Sequence, residues 1–288
     1  MSRADEFFQR GAMIPCSPDQ RHGMNMAAVN SAGVDIHYDV YADGDRPWLV
    51  FAHGAGGNAA CWWQQIPYFY RNYNLVTFDH RGFGRSRCSL EQFREACNVA
   101  DLEAILAAVG IDRAALVCQS MGGWTGLRFA LDHPQRVTAL VMSHTYGGIR
   151  AEAIDGARDA TAERGFPSEP FGHWAVALDL PERNPALAHL YRTIGAFNVD
   201  FNAFGGVQAF RDLDLGVDPE ELTGYGVPTL FVTADHDVVI LPAAIEAAHA
   251  LTPGSELINL GDSGHSSYFE IPEVFNSTVA QFLARHCT

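Results

Sequence analysis

A serine interrupts an apolar stretch in "LVCQSMGG", residues 116–123, and two glycines follow it after a single methionine. Ser120 lies two residues past a run typical of a buried strand and directly before a helical pattern. A serine at such a junction either caps the helix or is held on a sharp turn where its hydroxyl is free to attack a substrate. The strained turn requires small neighbours. Gly122 meets this requirement on the helix side, whereas Cys118 is larger than the usual glycine on the strand side, and this stretch alone leaves both interpretations open.

Two later loops carry the groups that a serine nucleophile needs. An imidazole must take the hydroxyl proton, and a carboxylate must hold that imidazole in the correct tautomer. The loop "DHDVVILP" (235–242) offers Asp237, and the loop "GDSGHSSYFEIPEVF" (261–275) offers His265. Each of the three residues follows a different predicted strand, in the chain order serine, acid, histidine. The combination favours a catalytic Ser120, Asp237 and His265 over a capping serine.

The acid has a second candidate in Asp235, two residues before Asp237. We prefer Asp237 because it directly precedes the apolar run that leads into the next helix. The Asp-His-Asp alternation in this loop is only a weak metal signal, since no second cluster of ligands accompanies it. We therefore expect no metal site.

A glycine-rich turn in "HGAGGNAACW", residues 53–62, follows another predicted buried strand. Free backbone amides in such a turn are suited to stabilising a developing oxyanion. If Ser120 is the nucleophile, we expect the oxyanion hole to consist of the amides of Ala55 and Met121, with Gly56 as the alternative first donor.

The elements that position these residues alternate between apolar runs and helical patterns. Continuous apolar runs indicate strands covered on both faces, and their alternation with helices predicts an α/β fold with a mostly parallel sheet. Ligands of such sheets bind at the carboxyl ends of the strands, where the candidate residues lie. The runs are "WLVFA" (48–52), "YNLVTF" (73–78), "AALVC" (114–118), "VTALVM" (137–142) and "PTLFVTA" (228–234).

Composition excludes several classes of function. The formal net charge of −15 opposes binding to nucleic acid or to anionic membranes. All 19 basic residues are arginine, which excludes Schiff-base chemistry and the lysine of a phosphate-binding loop. We expect no cofactor. The six cysteines show no paired spacing, and the first 26 residues carry no apolar signal. We predict a soluble, cytoplasmic protein; its oligomeric state is left open.

Four stretches together resemble the α/β-hydrolase superfamily, and the likeness covers residues 27–146 and 226–286. The resemblance implies an eight-stranded, mostly parallel sheet with helices on both faces and an inserted helical cap. It also implies that Ser120, Asp237 and His265 form a catalytic triad. The stretches are "HGAGG" (53–57), "DHRGFGRS" (79–86), "QSMGG" (119–123) and "GH" (264–265) with the following "YFEIPEVF".

We assign residues 1–26 to an N-terminal extension, 27–146 and 216–288 to the hydrolase core, and 147–215 to the helical cap. The cap segment contains several short helical patterns broken by Gly and Pro. An aromatic cap over the sheet favours an apolar, lidded pocket. The expected substrate-binding residues are Trp124, His144, Trp174 and Phe204.

The sequence thus predicts a serine hydrolase that cleaves a small hydrophobic carboxylic ester or lactone through an acyl-enzyme on Ser120. A carbon–carbon bond hydrolase for diketone-type ring-cleavage products is the alternative. Members of that group usually carry tryptophan after the catalytic histidine, whereas this chain has Ser266. A ligand sensor that keeps the triad is the third interpretation.

Overall fold

A single sheet of eight strands forms the centre of the computed structural model, which describes residues 22–164, 174–210 and 216–287. The strands are β1 (His22–Ser31), β2 (Val34–Asp43), β3 (Trp48–Ala52), β4 (Asn74–Phe78), β5 (Ala114–Gln119), β6 (Val137–Ser143), β7 (Thr229–Thr233) and β8 (Glu256–Asn259). Their order is β1-β2-β4-β3-β5-β6-β7-β8. The pairs β1–β2 and β2–β4 are antiparallel and all other pairs are parallel. The predicted mostly parallel, eight-stranded sheet is confirmed.

Helices cover both faces of this sheet, as predicted. They are α1 (Ile66–Phe69), α2 (Asn98–Val109), α3 (Met121–Asp132), α4 (Glu152–Arg164), α5 (Leu180–Arg183), α6 (Pro185–Ala196), α7 (Val199–Ala203), α8 (Pro242–Leu251), α9 (Ser267–Glu270) and α10 (Pro272–His286). None of the helices in the described ranges combines the length and apolar composition needed to cross a membrane.

Alternate side chains of the central strands enter two separate hydrophobic layers. On β5, Leu116 and Cys118 pack with α2, α3 and α8, whereas Ala115 and Val117 pack with α1 and α10. Because strand side chains alternate between faces, a continuous apolar run supplies both layers at once. The apolar runs in the sequence are therefore explained by burial on both sides.

The parallel strands β5, β6 and β7 end level with one another. Gln119 pairs with Ser143, and Ser143 pairs with Val232. Backbone hydrogen bonds extend this ladder beyond the strands, from Ser120 N to Ser143 O (2.9 Å) and from His144 N to Val232 O (2.8 Å). The residues that follow these strands are consequently brought to one edge of the sheet.

The N-terminal boundary of the predicted domain scheme differs from the structure. β1 begins at His22 and pairs with β2 from its first residue, so residues 22–26 of the expected N-terminal extension belong to the sheet. Residues 1–21 lie outside the described part of the chain.

The segment between β6 and β7 also divides differently from the expected cap of residues 147–215. Ile149 and Ile154 are buried in the same layer as α3 and α8, and α4 packs against α8. This first part of the segment belongs to the core because its apolar side chains are buried there. α6 and α7 instead contact the loops after β3 and β4 through hydrogen bonds such as Asn58 Nδ2 to Ile194 O (2.9 Å).

Cys118 fits beside α3 because the facing helix position has no side chain. A Cβ added at Gly126 would lie 2.5 Å from Cys118 Sγ and 3.1 Å from Leu140 Cδ1. The cysteine on the strand side of the turn therefore fits because Gly126, one helical turn after Gly122 in α3, has no side chain.

We expect Gly126→Ala to lower the free energy of unfolding by about 1–3 kcal/mol, because overpacking against Cys118 outweighs the better helix propensity of alanine. Combining it with Cys118→Ala should recover part of that loss, giving a favourable coupling in a double-mutant cycle measured by urea unfolding. Gly156→Ala in α4 is the matched control, since a Cβ there has no neighbour within 4 Å. Additive effects of the Gly126 and Cys118 substitutions would contradict this packing account.

Candidate active site

Ser120 occupies a strained turn between β5 and α3. Its backbone angles are φ 49° and ψ −117°, in a region that residues with a side chain rarely adopt. Such a conformation costs roughly 1–3 kcal/mol and persists only where the surroundings impose it. Here the hydrogen bonds Ser120 N to Ser143 O (2.9 Å) and Gly123 N to Ser120 O (2.8 Å) fix the backbone on both sides. The turn has the geometry of a nucleophile elbow.

Glycines around the elbow permit the close approach of three elements. A Cβ at Gly122 would collide with the carbonyl oxygen of Ala52 at the end of β3. A Cβ at Gly54 would lie 2.9 Å from Ser120 Cβ. The glycine-rich loop after β3 therefore packs directly against the elbow, as the proposed oxyanion hole requires.

Asp237 and His265 form a buried hydrogen-bonded pair. His265 Nδ1 lies 2.9 Å from Asp237 Oδ2, and both side chains are almost completely inaccessible. The other oxygen, Oδ1, accepts the amides of Val239 and Ile240 at 2.9 Å each. The turn that follows β7 thus fixes the carboxylate, and the carboxylate orients the imidazole.

The environment of Asp237 keeps the carboxylate ionised. Burial by itself would raise its pKa. The charge of His265 and the hydrogen bonds from the rings of His144 and His265 outweigh burial and hold the pKa of Asp237 well below its usual range.

The competing acid, Asp235, points elsewhere. It is exposed, and its Oδ1 accepts a hydrogen bond from Asn259 Nδ2 at 2.8 Å. Of the two acids that the sequence offered, the structure places Asp237 against His265.

The expectation that His144 faces a substrate pocket is wrong. The residue is 0% exposed, its Nδ1 lies 2.9 Å from Asp237 Oδ2, and its Nε2 lies 2.7 Å from Ser267 Oγ. The positive φ of 54° at His144 turns the backbone away from the direction of β6. Both ring nitrogens are used inside the protein, so the side chain supports Asp237.

Two polar residues that sequence reasoning missed hold the loop of His265. Gln119 Nε2 donates to the backbone oxygen of His265 at 3.1 Å, which ties this loop to the end of β5. Glu270 accepts the amides of Gly264 and Ala177 at 3.0 Å each. Gln119 and Glu270 lie in the same sequence motifs as Ser120 and His265. Their closeness in sequence to these two residues was the available signal.

No hydrogen bond joins Ser120 Oγ to the His265 ring within the described structure. In enzymes without substrate, catalytic hydrogen bonds are often long and tighten only in the complex. The fold places both side chains at one edge of the sheet.

The loop after β3 leaves backbone amides available beside the elbow. In the part of the chain described here, the amides of Ala55, Gly56 and Met121 donate to no protein acceptor. Asn198 Nδ2 donates to Gly56 O at 2.7 Å, and Asn198 Oδ1 accepts the amide of Gly84 at 2.9 Å. A buried asparagine from the inserted segment therefore fixes the loop, a role for which the sequence carried no signal.

A cavity of about 470 Å³ lies between this loop and the inserted helices. Its lining includes Ala55, Gly56 and Trp174, which brings one expected substrate-binding residue next to the proposed oxyanion donors. Trp124 and Phe204 instead belong to a hydrophobic cluster with Phe93 and Phe210 that also contains Met121 and Phe83.

The donor atoms of His144, Asp237 and His265 lie within 4.8 Å of one another, an arrangement that could also hold a metal ion. Both Nδ1 atoms, however, lie at hydrogen-bonding distance from Oδ2 (2.9 Å), and the second carboxylate oxygen is used by two amides. Each Nδ1 therefore carries a proton that a metal would have to displace. The contacts fit a proton-holding network better than a metal centre.

A family model described as alpha/beta hydrolase fold matches residues 47–272, and the chain belongs to this family. The putative carbamate hydrolase RutD of Escherichia coli O127:H6 (strain E2348/69 / EPEC) is 28% identical over 250 residues, or 83% of this chain and 92% of that protein. Among solved structures, Est816, an N-acyl homoserine lactone degrading enzyme, is 26% identical with a TM-score of 0.69, covering 88% of this chain and 99% of its own.

The meta-cleavage product hydrolase CumD from Pseudomonas fluorescens IP01 is 22% identical with a TM-score of 0.70, covering 90% of this chain and 97% of its own. At that identity the likeness shows the fold alone. The family, the carbamate hydrolase and Est816 support a hydrolase.

Asp237→Asn should slow labelling of Ser120 by a fluorophosphonate by about 10³-fold or more, because an amide at this position neither holds the histidine tautomer nor stabilises the imidazolium. Asp235→Asn, the matched control on the same loop, should leave the labelling rate within about twofold, since that side chain bonds only to surface groups. The rates are read by gel fluorescence over time. Equal slowing in both variants would show that Asp237 is not the acid that orients His265.

Proposed function

We propose that this protein is a serine hydrolase that cleaves a carboxylic ester or lactone through an acyl-enzyme on Ser120. The observation that carries the proposal is the buried Asp237–His265 pair (2.9 Å) at the same sheet edge as a serine in a strained elbow. An ionised carboxylate, an oriented imidazole and a serine hydroxyl are the parts required for acyl transfer.

In the acylation step, His265 Nε2 takes the proton of Ser120 as Oγ attacks the substrate carbonyl carbon. The carbonyl oxygen becomes negative and is stabilised by the amides of Ala55 and Met121, with Gly56 as the alternative first donor. Collapse of this intermediate breaks the bond to the alcohol oxygen, which receives the proton from His265. Asp237 remains ionised and balances the imidazolium.

Deacylation repeats these steps with water. His265 removes a proton from a water molecule, the resulting hydroxide attacks the acyl carbon, and the Ser120–acyl bond breaks. The proton returns to Ser120 Oγ, and the carboxylic acid leaves. For a lactone the alcohol and the acid remain parts of one product.

The lining of the cavity supports a small substrate with both apolar and polar groups. It combines apolar with polar side chains beside the loop of Ala55: Trp174, Phe201 and Val207 with Arg192, Asn202 and Gln208. The likeness to a lactone-degrading enzyme supports the same class of bond. A panel of p-nitrophenyl esters, lactones and vinylogous diketones distinguishes ester hydrolysis from carbon–carbon bond cleavage and ligand sensing. Turnover of a vinylogous diketone, or a single turnover only, would replace ester hydrolysis as the function.

Ser120→Ala should abolish both turnover of p-nitrophenyl esters or lactones and labelling by fluorophosphonate. The fold should remain, because the amide and carbonyl of residue 120, not its hydroxyl, make the structural hydrogen bonds. Circular dichroism serves as the folding control. Labelling that persisted in the variant would eliminate Ser120 as the nucleophile.

Trp174→Ala should change the preference between short and long acyl chains by up to about 1–3 kcal/mol in relative kcat/KM, because it removes one wall of the cavity. Phe204→Ala is the comparison, since Phe204 packs on Phe93 outside that lining (ring centroids 5.5 Å apart). We expect it to lower thermal stability with little change in chain-length preference. An unchanged acyl profile in the tryptophan variant would place selectivity in another part of the molecule.

A further inference from the structure

Asp237 Oδ2 is shared by two histidines, although a serine hydrolase mechanism requires only one. His265 Nδ1 and His144 Nδ1 each lie 2.9 Å from this oxygen. The two rings meet edge to face, with centroids 5.6 Å apart. The acyl-transfer steps above leave the second histidine without a role.

Hydrogen bonds determine where the protons of His144 lie. The ring is completely buried, and burial lowers its pKa, an effect that Asp237 only partly offsets. A neutral ring has one proton, and an ionised carboxylate oxygen accepts but cannot donate. That proton is therefore on Nδ1, directed at Asp237 Oδ2.

The opposite ring nitrogen must then accept a hydrogen bond. His144 Nε2 receives the hydroxyl proton of Ser267 at 2.7 Å, and Ser267 Oγ in turn lies 2.6 Å from Ser263 Oγ. The chain of donors runs from Ser263 through Ser267 and His144 to Asp237. Every member is buried, so the proton order is maintained without solvent.

We propose that His144 is a positioning residue that acts on His265 through Asp237, and this inference rests on the function proposed above. By donating to Oδ2, His144 fixes the same carboxylate oxygen that orients His265 and draws part of its negative charge away from the imidazole. The result is a better aligned His265 with a weaker ionic attraction to the carboxylate.

Other titratable groups on the neighbouring elements are bonded elsewhere. The charged groups that act on the His144 ring are Asp237 and His265. His236 pairs with Asp262, and Asp235 accepts a hydrogen bond from Asn259. Glu270 accepts the amides of Gly264 and Ala177.

The experiment compares the pKa of His265, measured by NMR on imidazole-labelled resting enzyme, in four chains: the unsubstituted protein, His144→Phe, His144→Gly and His144→Asn. His265→Gln identifies the signals. Phenylalanine and glycine carry no side-chain donor, and glycine adopts the positive φ without strain. The asparagine amide is a donor near the position of Nδ1, and asparagine tolerates this backbone region.

We expect the pKa of His265 to rise by about half a unit to one unit in the donor-less variants, because the carboxylate charge is no longer shared. Since the base must be neutral, the acid limb of the kcat/KM profile should move to higher pH by the same amount. Their kcat should fall about 10- to 100-fold from misalignment. His144→Asn should restore both values most of the way.

The control Ser267→Ala removes the hydroxyl behind His144 but leaves its bond to Asp237. It should leave the pKa of His265 unchanged, although stability falls. If all His144 variants lost activity equally with no change in that pKa, the residue would be only a packing element and the inference would be overturned. The NMR titration requires no turnover, so its outcome is independent of the Ser120 labelling that tests the proposed function.

Discussion

The ionised carboxylate of Asp237 is the interaction around which the rest of the site is organised. A buried charge is tolerated only where hydrogen bonds and nearby charge compensate for lost hydration. Here two backbone amides and two imidazole N–H groups supply four hydrogen bonds. The turn after β7, the end of β6 and the loop after β8 must all keep their positions for this carboxylate to remain compensated. His265 is held in its orientation because its ring donates one of these four hydrogen bonds.

The level ends of β5, β6 and β7 make such convergence possible. Parallel strands in register deliver consecutive loops to one edge, and the backbone bonds from Ser120 N and His144 N extend that order into the loops. Strain at Ser120 and His144, both with positive φ, is sustained by the same bonds. The rigidity of the sheet therefore determines the chemistry of residues that belong to no strand.

The sequence was sufficient to predict the sheet, its helices and the convergence of Asp237 with His265, because burial on two faces and the order of the loops are properties of local sequence. It did not predict that His144 supports Asp237. Its position after β6 was visible, but the direction of its ring depends on a positive φ and on partners far along the chain. Asn198 was missed for a similar reason, since its partners Gly56 and Gly84 are more than a hundred residues away. Residues 22–26 are assigned to the N-terminal extension from sequence although β1 begins at His22, because this edge strand is largely unburied and no buried apolar run marks its start.

Asn198 also constrains how the molecule can open. Its side chain joins α7 to the loops after β3 and β4, while Asn58 binds the end of α6. Lifting these helices would leave several buried polar groups unpaired together, at a cost of roughly 1–3 kcal/mol each. The two helices consequently move with the core as one body. The cavity beside them is already partly open to solvent, so a ligand can enter without any helix being lifted.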